Sequence, residues 1–104
     1  MIGVDLVKIS RVAALSPSAR AKIFHPSEIN GASDRHLAAV FAIKECCKKI
    51  FGADMPWHSV EVKRTPSGAP QAVLSSSLQK QFTHVEVSAT HEGDFAAAVV
   101  VAWK

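Results

Sequence analysis

Hydrophobic and polar positions divide the chain into segments with a period of two and segments with a helical period. Alternating or continuous apolar residues predict five strands, at residues 2–7, 59–64, 71–74, 84–90 and 95–103. Helical spacing predicts helices at residues 8–15, 18–24 and 34–51, a further turn at 25–29, and a short helix or loop at 75–82. This order predicts an α+β fold, with helices packed on one face of a mostly antiparallel sheet.

The longest predicted helix has a clear start and end. Ser33 or Asp34 can cap its beginning, and Gly52 after its last residue favours a left-handed C-terminal cap. Its apolar stripe is interrupted by Lys44. The lysine is either an edge residue whose ammonium reaches solvent or a buried ammonium held for a phosphate.

Glu45 stands out on this helix as a carboxylate with an apolar back and a cationic rim. Phe41 lies four residues before it, and Lys48 and Lys49 lie three and four residues after it. Such surroundings suit a site where a metal ion and a phosphate meet. The alternative is a surface glutamate that forms helical ion pairs with its lysines.

Asp5 is an acid in the middle of the apolar first strand. A buried carboxylate is costly unless it is paired, hydrogen-bonded or bound to a metal. The alternative is an aspartate at the end of the strand that caps the following helix. The residue pattern alone leaves both interpretations open.

The 104 residues predict one domain, 1–104, and the net charge of +3 mildly favours anionic partners. No basic run or set of stacking aromatics supports nucleic-acid binding. Cys46 and Cys47 are adjacent, without the spacing of a metal site or a redox motif, which predicts free thiols in a cytoplasmic protein. No apolar run reaches transmembrane length, and a signal peptide is not expected.

Three separated motifs follow one order along the chain. Gly-Val-Asp-Leu-Val occupies positions 3–7, Phe-Ala-Ile-Lys-Glu occupies 41–45, and Val-Ser-Ala-Thr-His occupies 87–91. Together with the Ser-Gly-Ala-Pro turn at 67–70, they resemble the phosphopantetheinyl transferase superfamily and, within it, the short holo-acyl-carrier-protein synthases. The resemblance covers nearly the whole chain and implies the 4′-phosphopantetheinyl transferase fold.

The resemblance implies a reaction and its catalytic residues. The 4′-phosphopantetheine arm of coenzyme A passes to a serine of an acyl or peptidyl carrier protein, and adenosine 3′,5′-bisphosphate leaves. Asp5 and Glu45 are the expected Mg²⁺ ligands, and Lys49 joins them as a catalytic residue. Mg²⁺ prefers a few carboxylates together with phosphate oxygens and waters, which matches this set. Glu45, or a water on the metal, is the expected base.

The resemblance also assigns residues to coenzyme A. Lys44 and Lys49 are expected near its phosphates, and Gly68 and Pro70 near its adenine. The remaining two assignments are Ser88 and His91. From the residues alone, His91 could be a polar turn residue and Ser88 an exposed strand serine, and any hairpin could use the glycine and proline.

The resemblance further implies an assembly and partners. The short relatives form trimers with active sites between subunits, so a homotrimer is expected. Lys8 and Arg11 fit the family's basic surface for an acidic carrier protein, although a solvated helix face explains them nearly as well. A role in fatty acid biosynthesis in the cytoplasm follows, with the identity of the carrier open.

The chain departs from the family pattern at several positions. Val40 stands where an arginine is common, Cys46 where a small alanine is usual, and Ala69 where a lysine is common, and segment 29–36 is short. Fewer cationic contacts predict weaker coenzyme A binding or an unusual carrier preference. The alternative function is a non-catalytic trimeric module that binds coenzyme A or a carrier protein.

Overall fold

The strands form two separate antiparallel units in the computed structural model, which describes residues 1–104. Strands β1 (Ile2–Lys8), β4 (His84–Glu92) and β5 (Phe95–Trp103) form a three-stranded sheet in the order β1-β5-β4. Strands β2 (Val60–Arg64) and β3 (Pro70–Leu74) form a hairpin of their own. The α+β prediction is confirmed, but the strands do not join into the one sheet that the sequence suggested.

Five helices fill the remaining chain and confirm the predicted helical segments to within a few residues. They are α1 (Ile9–Ala13), α2 (Pro17–Ile23), α3 (Pro26–Ile29), α4 (Asp34–Phe51) and α5 (Ser76–Gln79). A short 3-10 turn, Trp57–Ser59, precedes β2. No helix is long and apolar enough to cross a membrane.

Helix α4 is the central element of the core. It begins as predicted, because the Ser33 hydroxyl accepts a hydrogen bond from the His36 amide at 3.1 Å. Its end differs from the prediction: Gly52 has φ 119° and ψ 148°, which is positive-φ extended backbone and not the left-handed cap. The glycine is still required there, since a side chain rarely adopts this φ.

Strand β1 packs directly on α4, and Gly3 makes this contact possible. A Cβ added at Gly3 would lie 2.7 Å from the Cys46 carbonyl oxygen, closer than real Cβ contacts. The glycine before the Val4-Asp5 pair is therefore a packing requirement that holds the first strand against the middle of α4.

The two faces of the three-stranded sheet differ sharply. The inner face packs on α4 through buried residues such as Val7, Ala98 and Val100. On the outer face of β1 the side chains are largely exposed, at 67% for Ile2, 61% for Val4 and 64% for Leu6. The outer face of β5 adds further exposed apolar side chains, namely Phe95, Val101 and Trp103. Contiguous exposed apolar surface of this kind marks an interaction face.

Candidate functional site

Asp5 lies on the inner face of β1, next to α4. Its side chain is only 15% exposed, and its Oδ1 accepts a hydrogen bond from the Lys49 ammonium at 3.2 Å. Lys49 also donates to the Val4 carbonyl at 2.6 Å. Asp5 does not cap a helix, because α1 starts after Lys8 with no side-chain cap. The helix-cap alternative is therefore wrong.

Glu45 lies one helical turn before Lys49 on α4, so the two side chains share a face of the helix. The carboxylate is half-buried and has no hydrogen-bond or ion-pair partner within the chain. Lys48 instead donates to the Ala53 carbonyl at 3.2 Å, with its ammonium 4.0 Å from the Trp57 ring centre. The helical ion pairs offered as the alternative for Glu45 are therefore absent.

Lys49 links the two carboxylates, because it contacts Asp5 and lies one helical turn after Glu45. The pKa of the Cys46 thiol is raised to about 11, first by burial and then by the charges of Asp5 and Glu45, which Lys49 partly opposes. We therefore group Asp5, Glu45 and Lys49 as one cluster where β1 meets α4. We call it the carboxylate cluster.

The carboxylate cluster fits a magnesium ion shared with a phosphate substrate. No group of three or more His, Cys, Asp or Glu side chains in the chain could enclose a metal. Two carboxylates leave most coordination positions to waters and phosphate oxygens, which is the arrangement that Mg²⁺ commonly has with such substrates. The unpartnered carboxylate of Glu45 is one available ligand, and Asp5 would offer its Oδ2, since its Oδ1 accepts from Lys49.

Lys44 lies away from this cluster, and its assignment to a phosphate is wrong. Its side chain is fully buried, and its ammonium is 2.8 Å from the Glu28 carboxylate, which is buried as completely. It also donates to the carbonyls of Ile23 at 2.9 Å and Trp57 at 3.3 Å. Of the two alternatives, the buried ammonium is the one observed. It pairs with a carboxylate of the core and not with a phosphate.

A second group of predicted residues lines a cavity of about 250 Å³ on the other side of α4. Gly68 and Pro70 from the β2–β3 hairpin meet His91 near the end of β4 there. His91 belongs to the strand and not to the predicted turn, because β4 continues to Glu92. The cavity is closed by apolar residues of α4, including Val40 and Ile43. We call it the hairpin cavity.

Ser88 belongs to neither group. It pairs across the sheet with Val99, which in turn pairs with Val4, so all three lie on the outer apolar face. Lys8 and Arg11 are exposed, near the start of α1, as a basic surface requires.

The carboxylate cluster and the hairpin cavity lie at opposite edges of one chain. β1 and β4 are the two edge strands of the sheet, separated by β5 and hence by roughly 10 Å. Helix α4 lies between the two groups: Glu45 follows the cavity residue His36 by nine positions, about two and a half turns, so they point to opposite sides. A single chain does not bring all the predicted residues into one pocket.

Sequence reasoning missed three polar residues that the structure places in these networks. Arg64 and His36 line the hairpin cavity and contact each other. Glu28 is the buried partner of Lys44, and it also accepts hydrogen bonds from the amides of His25 and Val62, both at 2.7 Å. The signal for Glu28 was present, since a Pro and a Glu in the first turn after His25 predict a capped helix start.

The fold and the two groups of residues define a small α+β protein with a cavity beside its hairpin and two carboxylates at the opposite edge of its sheet. The sequence matches the family model of the 4′-phosphopantetheinyl transferase superfamily over residues 1–100. The chain therefore belongs to this superfamily, as its motifs implied.

Relatives and solved structures agree with the family assignment. The chain is 34% identical to the holo-[acyl-carrier-protein] synthase of Sulfurimonas denitrificans, over 96% of this chain and 92% of the relative. It is 37% identical to that of Beutenbergia cavernae, over 97% and 95%. The crystal structure of the Helicobacter pylori synthase in complex with coenzyme A matches with a TM-score of 0.88 at 28% identity, covering 98% and 99% of the chains.

Proposed function

We propose that this chain is a holo-acyl-carrier-protein synthase, which transfers 4′-phosphopantetheine from coenzyme A to a serine of an apo carrier protein. The full-length match to synthases of this kind supports the substrates. The observation that carries the chemistry is the carboxylate cluster, in which Glu45 has no partner in the chain and Lys49 contacts Asp5. A cluster with an uncommitted acid and an adjacent cation suits a magnesium-bound pyrophosphate.

Asp5 and Glu45 are the proposed ligands of Mg²⁺. When bound, the ion would neutralise the pyrophosphate and the charge that develops on the leaving bisphosphate. Lys49 supplies a further positive charge beside Asp5, as a point charge that can turn towards a phosphate oxygen. In this proposal two acids and one ammonium surround the phosphorus that is attacked.

The proposed transfer is a displacement at the phosphorus that bears the pantetheine arm. The serine Oγ of the carrier forms a bond to this phosphorus, and the bond from it to the bridging oxygen of the pyrophosphate breaks. Adenosine 3′,5′-bisphosphate leaves with that oxygen. The serine proton passes to a base, for which Glu45 and a nearby water are the two candidates.

The hairpin cavity is the proposed site of the adenosine end of coenzyme A. Its volume of about 250 Å³ suits a purine, and its apolar walls suit a base that is excluded from water. Gly68 and Pro70 would shape the wall beside the adenine, and His91 would contact a phosphate. Ser88 is also a proposed contact of coenzyme A. Because it lies on the outer face of the sheet, this contact would require a site that a second chain completes.

We propose a homotrimer in which each active site combines the carboxylate cluster of one chain with the hairpin cavity of the next. Two observations support it. The two groups lie at opposite edges of a single chain, with α4 between them. The outer face of the sheet exposes a continuous apolar surface, from Ile2 and Leu6 to Phe95 and Trp103, which a second copy would cover.

The exposed basic residues and the buried thiols extend this proposal to the carrier protein and the cell. Lys8 and Arg11 offer an exposed basic surface for an acidic carrier. The buried, unbridged thiols of Cys46 and Cys47 fit a reducing cytoplasm, where the single domain 1–104 would serve fatty acid biosynthesis.

The activity is tested by mass spectrometry of apo carrier proteins incubated with the chain, coenzyme A and Mg²⁺. We expect the wild type to add the phosphopantetheine mass. Glu45→Gln and Asp5→Asn should lower turnover at least 100-fold, since each removes a charge at the reacting phosphorus. Glu61→Gln is the matched control, because this partly exposed carboxylate bonds Ser27 and lines neither group. If the wild type binds coenzyme A without transfer, the chain is instead a binding module.

The composite site is tested by mixing two inactive variants. Asp5→Asn destroys one half of the site and His91→Ala the other. When the two proteins are unfolded and refolded together, roughly a quarter of the wild-type activity should return, because each interface in a ring draws one half from each neighbour. If activity stays absent while native mass spectrometry shows mixed trimers, each chain holds its own complete site.

A further inference from the structure

Arg64 is the one permanently charged side chain in the hairpin cavity. The polar residues that line the cavity beside it are two histidines, His36 and His91, and a threonine, Thr90. No carboxylate lines it, and no lysine does. The fixed positive charge of this pocket therefore comes from one guanidinium at the end of β2, which faces the same way as Val62 two residues earlier.

The guanidinium is held from two sides. Its Nη1 donates to the Gly68 carbonyl at 2.6 Å, and its Nη2 contacts Nδ1 of His36. Gly68 has φ +89°, a left-handed conformation that turns the hairpin and that other residues rarely adopt. A guanidinium has five N–H donors, so about three remain free after these two bonds.

His36 acts on Arg64 as a hydrogen-bond acceptor. Burial and the neighbouring Arg64 charge both lower the pKa of His36 below its usual value of 6.5. The ring is therefore neutral at pH 7, with Nδ1 free to accept a bond from the guanidinium. The arrangement leaves Arg64 oriented but not neutralised, since neither the histidine nor the Gly68 carbonyl carries a negative charge.

An anion in this pocket would belong to the adenosine end of coenzyme A, because the hairpin cavity is the proposed adenosine site. In the proposed trimer the pyrophosphate of coenzyme A lies at the carboxylate cluster of the neighbouring chain, while the adenosine end occupies this cavity. The remaining anion of coenzyme A is the 3′-phosphate on its ribose, next to the adenine. Planar guanidinium groups bind phosphate oxygens in a bidentate manner, with more geometric specificity than an ammonium.

We propose that Arg64 binds the 3′-phosphate of coenzyme A, and that His36 and the Gly68 carbonyl are positioning groups that hold its guanidinium ready. The proposal rests on the proposed function, since it takes the hairpin cavity as the adenosine site. It makes Arg64 the residue that distinguishes coenzyme A from its analogue without the 3′-phosphate, 3′-dephospho-coenzyme A.

The test compares these two substrates in the wild type and in Arg64→Gln. For coenzyme A, we expect kcat/KM to fall about 10- to 100-fold, the range for losing hydrogen bonds to a charged group. For 3′-dephospho-coenzyme A, kcat/KM should change less than about twofold. The matched control is Lys63→Gln, which removes the same charge from the neighbouring residue of β2 outside the cavity, and should leave both substrates unchanged.

His36 is tested by the same substrate ratio. His36→Ala removes the acceptor, so the preference for coenzyme A should fall partially, through KM with kcat unchanged. His36→Asn should restore it, because its amide oxygen can accept at a position close to that of Nδ1. A merely structural role for His36 would lower the rates with both substrates in parallel.

The proposal is overturned if Arg64→Gln weakens both substrates equally or neither. Isothermal titration of the wild-type and Arg64→Gln proteins with each nucleotide gives a readout that does not need transfer. If the wild type transfers nothing but binds coenzyme A more tightly than the dephospho form, and Arg64→Gln loses that difference, the proposed reaction fails and the assignment of Arg64 stands.

Discussion

Replacing Lys44 with methionine separates a role in the fold from a role in the substrate site. Methionine keeps the unbranched apolar stem of the side chain but removes the ammonium, which lies 2.8 Å from the Glu28 carboxylate. It also removes the hydrogen bonds to the carbonyls of Ile23 and Trp57. The Glu28 carboxylate would keep its two amide donors but lose its counter-charge, while remaining buried.

The expected cost follows from the burial of both partners. Both side chains have zero exposure, so solvent does not screen the loss. Breaking one partner of a buried pair costs about 3–5 kcal/mol, a large part of the roughly 5–15 kcal/mol that stabilises a small domain. Burial lowers the pKa of Lys44 more than the neighbouring Glu28 raises it. The attraction between the two charges therefore does not fully offset the cost of removing the ammonium from water. The double variant Glu28→Gln/Lys44→Met should therefore recover much of the loss.

The assay is urea unfolding followed by circular dichroism, combined with the KM for coenzyme A measured well below the unfolding transition. We expect Lys44→Met to unfold at a lower urea concentration than the wild type. Its KM for coenzyme A should stay within about twofold of wild type, because Lys44 makes no contact with the substrate. The reasoning is refuted if stability changes by less than about 1 kcal/mol while KM rises tenfold. In that case the original assignment of Lys44 to a phosphate would be right.

Two further predictions concern the pKa values of buried groups. Burial raises the pKa of Cys46 to about 11 and that of Cys47 to about 12. At pH 8 the folded protein should therefore not react with Ellman's reagent, whereas both thiols should react in urea. A thiol that reacts in the folded protein at the rate of free cysteine would contradict this prediction. The lowered pKa of His36 favours its neutral form in the folded state, so its contribution to stability is present above pH 6.5 and lost as pH falls through the folded pKa. The urea midpoint of the wild type should therefore fall more steeply below pH 6.5 than that of His36→Gln, and parallel curves would contradict the shift.

Each acid of the carboxylate cluster broke a local pattern and so could be singled out from the sequence, but only the resemblance joined the two as one predicted site. Asp5 interrupts an apolar strand, and Glu45 lies on an apolar helix segment next to two lysines. Isolated acids in such places need a partner from elsewhere, and periodicity fixes which face each occupies. What periodicity could not fix was the pairing of Lys49 with Asp5, since that depends on how β1 lies across α4.

Lys44 shows where this reasoning fails. A lysine in an apolar stripe has two physically sound interpretations, and the choice depends on a carboxylate 16 positions earlier in the chain. The sequence offers Glu28 only as a helix-start residue, and its second bond to the Val62 amide requires the β2–β3 hairpin to be placed first. Polar partners that are distant in the sequence cannot be identified from local sequence patterns.

Arg64 was missed for a related reason. It ends an alternating strand, where an exposed basic residue is common, and its contacts with His36 and Gly68 come from two other elements. The division of the strands into a three-stranded sheet and a hairpin was also not predicted, because alternation identifies a strand but not its neighbour.

The placement of β1 and β4 at opposite edges bears on how many working centres an assembly can hold. If each chain carries the carboxylate cluster at one edge and the hairpin cavity at the other, two chains joined head to tail complete one active site. One cluster and one cavity then remain without a complement. A third chain closes the circle, and every half then meets its complement. In such a closed ring every subunit would contribute to two complete active sites. Dilution that dissociates the ring would then abolish activity without unfolding any chain.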